Sequence, residues 1–337
     1  MKKEKYIRLT FIAAALTLMA GCSDSGENGT DTNGTARVEI RLGGSVPTPA
    51  QPRSAISSGQ YLTAMLVGRE GKNGYATAAQ AWTAGGSFYA DPATGQEISI
   101  APKQYYKDAE GTHTYILGIH PAGTLQGDKV ILTRTDGEQD VIVSGWTDAG
   151  TAKDNTEPET PTDPTWTRPV YNLAFAHRTA QVYFEARAEA NSDGNLFSEP
   201  TYVESVTLRN AQVPRAVNLT TAAVEFSDPA VLDIPGVPSV GLGEKPVACG
   251  RPVMVNGSAQ LVVDIVLNTG GVSLTFPGVV LKDENHPDMN LVTSIGQRHK
   301  VTLIFTAPED DPEGAVRVNA TATVEDWEEG NSGSVIL

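Results

Sequence analysis

The sequence predicts an all-β protein built as two antiparallel β-sandwich domains in tandem, and three observations carry that prediction. Short runs rich in Val, Ile, Thr, Tyr and Phe alternate apolar with polar residues through both halves of the chain. Gly, Pro, Asn and Asp break these runs at close intervals, drawing on 33 Gly and 21 Pro among 337 residues. No long amphipathic helix competes, and only a helical turn or two is expected, around residues 76–82. Many short strands separated by turns bury their apolar faces most economically as sandwiches.

Residues 1–21 form a signal segment. Lys2, Lys3, Lys5 and Arg8 precede an apolar run of eleven residues from Leu9 to Met19. That run is too short for a membrane-spanning helix, which needs about 20 residues. Small residues then lead into Cys22 (Leu18-Met19-Ala20-Gly21-Cys22), an arrangement similar to a lipobox, with Met19 where Leu is more usual. Cys22 is therefore the expected lipidation site and new N-terminus, the alternative being an ordinary signal peptide that contains a cysteine. Several acyl chains, each CH2 contributing about 0.8 kcal/mol on burial, anchor a protein to a membrane without a spanning helix.

A flexible tether follows over 22–35, since its Ser, Gly, Asp, Asn and Thr offer no apolar surface to offset the entropy of ordering. The N-terminal sandwich is placed at 36–150, with strands at 36–42, 61–67, 114–119, 128–133 and 140–143. A Pro-rich acidic linker is placed at 151–168, where Pro158, Pro161 and Pro164 sit among acids and threonines. A long excursion within one domain is the competing reading. The C-terminal sandwich is placed at 169–337, with strands at 181–188, 202–208, 260–267, 272–276, 300–306 and 316–324.

Composition limits the function. Without residues 1–21 the chain holds 21 basic and 39 acidic residues, a net charge of −18. Such a surface repels phosphate backbones and anionic lipid, so no nucleic-acid partner is expected. Cys249 is then the only cysteine besides Cys22, which leaves no intrachain disulfide to brace the fold, and it reads as a small core residue.

Nothing marks a catalytic centre, and neither an enzyme activity nor a cofactor is expected. The five histidines (His113, His120, His177, His286, His299) show no HExxH or His-x-His pairing, so no metal site is expected. No G-x-S-x-G elbow, P-loop or S-x-x-K is present. The acidic stretches 309–314 and 283–288 lack the alternating ligand spacing of a calcium loop and read as solvated turns. Trp82, Trp146, Trp166 and Trp327 fit core or sheet-edge positions better than a sugar platform.

Several stretches together resemble a known family. They are Tyr115-Ile116-Leu117-Gly118-Ile119-His120-Pro121, then Asp140-Val141-Ile142-Val143. Next come Leu173-Ala174-Phe175-Ala176-His177, Val182-Tyr183-Phe184 and, near the end, Val324-Glu325-Asp326-Trp327-Glu328-Glu329-Gly330. In order and spacing these are similar to the fimbrillin, or Mfa-like, family of Bacteroidales type V pili. Acids soon after the lipidated cysteine also resemble the surface-export signal of Bacteroidetes lipoproteins.

The resemblance implies two transthyretin-like β-sandwiches in a lipoprotein serving as shaft, tip or anchor of a fimbria. Its partners would be other fimbrial subunits, the outer membrane through the lipid, and a host or bacterial surface receptor. It further implies that an arginine-specific protease removes an N-terminal strand and that a neighbour's C-terminal strand fills the vacated groove.

Onto this chain the scheme maps as follows. Val38, Ile40 and Leu42 belong to the displaced strand. Arg53 is the candidate cleavage site, because Pro47, Pro49 and Pro52 hold its surroundings out of helix and sheet. Val335, Ile336 and Leu337, an apolar run at a terminus, are the candidate donor residues, with Ile336 and Leu337 expected to replace Val38, Ile40 and Leu42. Completing the chain's own second sandwich is the competing role for that terminus. His177 reads as a packed structural ring and Trp327 as an anchor for the last strands. A surface glycan-binding lipoprotein of the outer membrane is the alternative function.

Overall fold

The computed structural model describes residues 37–46, 56–91, 96–107, 111–157, 167–286, 288–308 and 316–326. The described chain is nearly all β. Its strands in the first half are β1 (Leu42–Ser45), β2 (Tyr61–Gly71), β3 (Ala79–Tyr89), β4 (Gln96–Ala101), β5 (His113–His120), β6 (Thr124–Gln126), β7 (Lys129–Ile131) and β8 (Ile142–Asp148). A short 3-10 turn follows at Lys153–Asn155, and then β9 (Tyr171–Ala174), β10 (Ala176–His177), β11 (Ala180–Glu189), β12 (Thr201–Ala211), β13 (Pro214–Asn218) and β14 (Val224–Phe226). The remainder are β15 (Ala230–Asp233), β16 (Val247–Ala248), β17 (Val253–Val255), β18 (Val262–Thr269), β19 (Val272–Val280), β20 (Lys282–Asp283), β21 (Gln297–Thr306) and β22 (Arg317–Asp326).

Four sheets result. The largest runs β10-β8-β5-β2-β3-β4-β1-β9, and its two end strands are consecutive in the chain, joined by the single residue Phe175. A second sheet runs β16-β11-β21-β22-β20, with β17 also on β11. A third runs β15-β12-β18-β19, and a fourth, β14-β13-β7-β6, takes strands from both halves of the sequence. Pairing is not purely antiparallel as expected: β1 with β9, β11 with β21 and β20 with β22 are parallel.

Three apolar clusters underlie these sheets. One, from Ile40 to Phe175, fills the large sheet's inner side, and one, from Ala180 to Ala320, lies among β11, β12, β18 and β21. The third joins Val67, Leu117, Ile119 and Val143 to Val130, Val217 and Leu219. β5 is covered on both faces in consequence, which explains its unbroken apolar run Tyr115-Ile116-Leu117-Gly118-Ile119: Ile116 enters the first cluster while Leu117 and Ile119 enter the third. Gly118 is required there because a Cβ would lie 2.6 Å from the Phe175 ring.

The helical turn expected at 76–82 is corrected, since residues 79–89 form β3. Its alanines suit a helix by propensity, but tertiary pairing with β2 outweighs propensity here. Trp82 fixes the register. It lies over Gly68, where a Cβ would sit 2.1 Å from the indole, beside a β-bulge at Gly68 and Arg69.

Candidate assembly groove

The first strand is an inserted member of the large sheet. β1 pairs antiparallel with β4 (Leu42 opposite Ile98, Gly44 opposite Gln96) and parallel with β9 (Leu42 beside Tyr171, Ser45 beside Ala174). Both its edges are thus occupied. Upstream, the Ile40 N–H donates to the Gln104 carbonyl at 2.8 Å and the Tyr106 N–H to the Val38 carbonyl at 2.9 Å. Downstream, the Phe175 N–H donates to Ser45 at 2.9 Å and the Val46 N–H to Asp91 at 3.2 Å.

Alternation decides which side chains enter the core. Ile40, Leu42 and Val46 are 2, 0 and 0 % exposed, and Val38 packs at the margin of the same cluster. Between Leu42 and Val46, Gly44 faces inward, and a Cβ there would lie 3.0 Å from Phe88 and 3.2 Å from Ile98. Phe88 is itself stacked on Phe175 at 5.0 Å, so the floor of the groove is a packed aromatic pair. The pairing continues past the expected end of the strand at Leu42, through Gly43-Gly44 to Ser45. Glycine usually weakens a strand, but at this position it admits the close approach of Phe88.

The outward side of the strand is polar. Arg41 pairs with Glu97 at 3.8 Å and Lys103 with Glu39 at 3.2 Å, both exposed and each worth about 0–1 kcal/mol. Arg168 donates to the Glu39 carbonyl. Where β4 turns away from β1, a cleft of about 460 Å3 opens between Ile40-Arg41 and Ile98 to Lys103. Tyr106 covers the upstream end: its hydroxyl donates to the Ala149 carbonyl at 2.8 Å, and burial, reinforced by Tyr171, pushes its pKa up.

The other residues singled out in the sequence lie elsewhere. Cys22, Arg53, Trp166, Trp327 and Val335, Ile336 and Leu337 lie outside the described residues. His177 is buried, with Nδ1 2.6 Å from an Asp140 carboxylate oxygen whose partner oxygen accepts from Thr179 at 3.1 Å. Trp146 stacks on Tyr75 at 5.6 Å and its indole N–H donates to Leu219. Cys249 is buried in the second cluster, and burial pushes its thiol up to about 12, out of reach as a nucleophile near neutral pH. Asp283 and His286 close a turn, with the Asn285 N–H on the Asp283 carboxylate at 2.9 Å. Among the described residues no cluster of three or more His, Cys, Asp or Glu is placed to hold a metal.

Sequence reasoning missed Phe88, Ile98 and Gly44, the residues that shape the groove. Phe88 and Ile98 alternate with polar neighbours in β3 and β4, a signal that was present but diluted by small residues on both strands.

No protein-family model matches the sequence, and no curated protein does. Solved structures do match. A "putative cell adhesion protein" from Bacteroides uniformis aligns over 88 % of this chain and 100 % of its own, at 11 % identity and a TM-score of 0.51. This chain has the fold of that protein. A further protein described in the same words, from Bacteroides ovatus, aligns at 10 % identity and a TM-score of 0.46, over 88 % of this chain and 100 % of its own. The tip fimbrial protein Mfa3 from Porphyromonas gingivalis aligns at 10 % identity and a TM-score of 0.38, over 86 % of this chain and 100 % of its own. The descriptions of these neighbours are those of cell adhesion and fimbrial proteins.

Proposed function

We propose that this chain is a fimbrial subunit, a lipoprotein exported through Cys22 that joins its neighbours by exchanging strands. The observation that carries the reading is the position of β1 between β4 and β9. Its departure would leave two unpaired strand edges above an apolar floor of Ile98, Leu173, Phe88 and Phe175. Open edges over apolar surface are the requirement for strand addition, in which the backbone supplies affinity and alternate side chains supply register. Cleavage after Arg53 would free that strand while leaving Ile56, 1 % exposed in the same cluster, on the body of the protein. The two halves, 36–150 and 169–337, are read as two sandwich domains that are not self-contained, since β9 and β10 complete the large sheet and β13 and β14 share a sheet with β6 and β7.

Digestion of the folded precursor with an arginine-specific protease tests the reading. We expect a first cut after Arg53 and then a ladder of polymers in unboiled detergent gels. Monomers only, after complete removal of residues 22–53, would count against strand exchange. Replacing Cys22 by Ser should release the protein from membranes, and a variant that still labels with fatty acid would refute the anchor.

A further inference from the structure

A second cleft, of about 410 Å3, lies where β8, the β13–β14 turn and the residues before β11 and β21 meet. None of its lining residues belongs to β1, β4 or β9, so nothing in it depends on strand exchange. We propose that this cleft binds one acidic sugar residue, a pyranose carrying a carboxylate, with the carboxylate on the Arg178 guanidinium and the ring against Tyr75 and Trp146.

Arg178 supplies the charge. It is the only charged residue among the described ones around the cleft, beside the apolar side chains of Tyr75, Trp146, Phe226 and Ile295. The chain carries 40 acidic residues against 25 basic ones, yet among the described residues Arg178 forms no ion pair and its buried Nε has no acceptor. A guanidinium set in apolar surface without an anion is costly, so a bound anion would relieve a deficit that the fold leaves open. The residue is also firmly placed. Its N–H donates to the Val141 carbonyl at 2.8 Å, and its buried neighbours His177 and Thr179 both bond Asp140. One planar fork matches a carboxylate through two parallel bonds, whereas a phosphate dianion calls for further cations that the described walls lack.

The walls around it are preorganised. In β8 the pairing with β5 shifts between Leu117 and Ile119, and Gly145, at φ +74, forms a bulge that re-aims Trp146. A Cβ on Gly145 would meet nothing within 4 Å, so the bulge leaves room in front of it. Three contacts hold the indole: its N–H on the Leu219 carbonyl at 2.8 Å, the Tyr75 ring at 5.6 Å, and the Arg69 guanidinium 4.7 Å from its centre. The two rings lie within 12° of parallel, too close to admit a third between them, and so present one continuous aromatic surface. Tyr75 and Ile295 are 38 and 50 % exposed, so the cleft opens to solvent. An aromatic surface beside open water suits the C–H face of a pyranose whose hydroxyls stay hydrated. The turn at 221–223 is held in a strained form. Ala222 has φ +56, uncommon for a residue with a side chain, while the Asn218 side-chain oxygen accepts from the N–H groups of Thr220 and Thr221 at 2.9 and 3.2 Å. Thr221, exposed on the cleft, offers a hydroxyl to the sugar.

The test is an NMR titration of the mature chain with glucuronic, galacturonic and N-acetylneuraminic acids, each beside its neutral methyl ester, and with glucose 6-phosphate and benzoate. We expect at least one of the three sugar acids to bind, and its ester to bind about tenfold more weakly or worse. Arg178→Gln should remove the advantage of the acid over the ester. Ala223→Trp, at an exposed residue of the cleft, should abolish binding of both. Without any ligand, Arg178→Gln should leave the melting temperature unchanged or raise it, because no bond of the folded chain is lost. Failure of all three acids to bind would overturn the site, and equal binding of acid and ester would overturn the role of Arg178. Tighter binding of benzoate or glucose 6-phosphate than of every sugar acid would overturn the ligand class. Unchanged binding in Ala223→Trp would overturn the location, and a lower melting temperature in Arg178→Gln would give that residue a structural role instead. None of these outcomes bears on polymer formation, which digestion of the precursor reports separately.

Discussion

The first and last described strands are held in opposite ways. β1 has four residues, divided between two partners, with three register pairs to β4 and four to β9. β22 has ten, all paired with β21, which precedes it directly among the strands, and only two pairs link it to β20. A long ladder to a sequence neighbour holds through many backbone bonds and closes a short loop. A short strand between two distant neighbours holds mainly through the side chains it buries, and a strand held that way is the one a replacement with similar side chains can displace. The apolar sets are also separate: Ile40, Leu42 and Val46 share no residue with the cluster around β21.

Leu42→Ala offers the strongest attempt to break this contrast. Leu42 is fully buried, and truncating such a leucine costs about 2–5 kcal/mol, depending on how far the cavity collapses. We expect a loss in that range by urea denaturation, together with faster amide exchange in β4 and β9 and unchanged exchange in β11 and β21. Equal acceleration in β21 would show that the two clusters open as one unit.

Acid sharpens the contrast from the other side. His299, on β21, is fully buried, its Nε2 accepts the Ser294 N–H at 3.1 Å, and burial lowers its pKa to about 4. The unfolded chain binds this proton at about pH 6.5 while the folded chain refuses it until about pH 4, so stability falls as pH drops through that window. The loss is at most about 3 kcal/mol. His120, also held down by burial, adds a loss of the same sign in the first half. We therefore expect His299→Gln to reduce the slope of melting temperature between pH 6.5 and 4.5, with the remainder shared by His120 and by carboxylates held below their ordinary range, such as Glu138 and Glu225. An unchanged slope would remove His299 as the acid-sensitive group.

How much of this was legible follows from what each residue depends on. The runs 181–188, 202–208 and 300–306 showed as strands because both period and composition agreed, and β11, β12 and β21 contain them. Ile40 and Leu42 were legible for the same reason. The inward glycine of the strand, Gly44, was not, because Gly43-Gly44 reads as a strand end until Phe88 and Ile98 are seen to occupy the space. β3 was hidden by its alanines, and its proof, the contact of Trp82 with Gly68, spans strands that no local pattern connects. The sharing of β7 and β13 in one sheet was equally illegible, since it joins Val130 to Val217 across the acidic linker.

The smallest effect concerns the lid over the start of β1. Tyr106 touches the first strand through its backbone, donating to Val38, and touches the chain after β8 through its hydroxyl, donating to Ala149. Tyr106→Phe keeps the ring and the Val38 bond and removes only the hydroxyl. A net hydrogen bond is worth about 0.5–1.5 kcal/mol, and we expect a loss in that range. Alkaline solution gives a second reading of the same group. Because the folded pKa lies above the unfolded value near 10, the unfolded chain ionises first and stability declines as pH rises beyond about 10. The Phe variant lacks this decline. If β1 is held by its own apolar side chains, Tyr106→Phe should leave the rate of strand release from the nicked protein nearly unchanged while lowering the melting temperature of the intact one. A release rate that rises as steeply as stability falls would show instead that the lid, and not the buried face of Ile40 and Leu42, retains the strand.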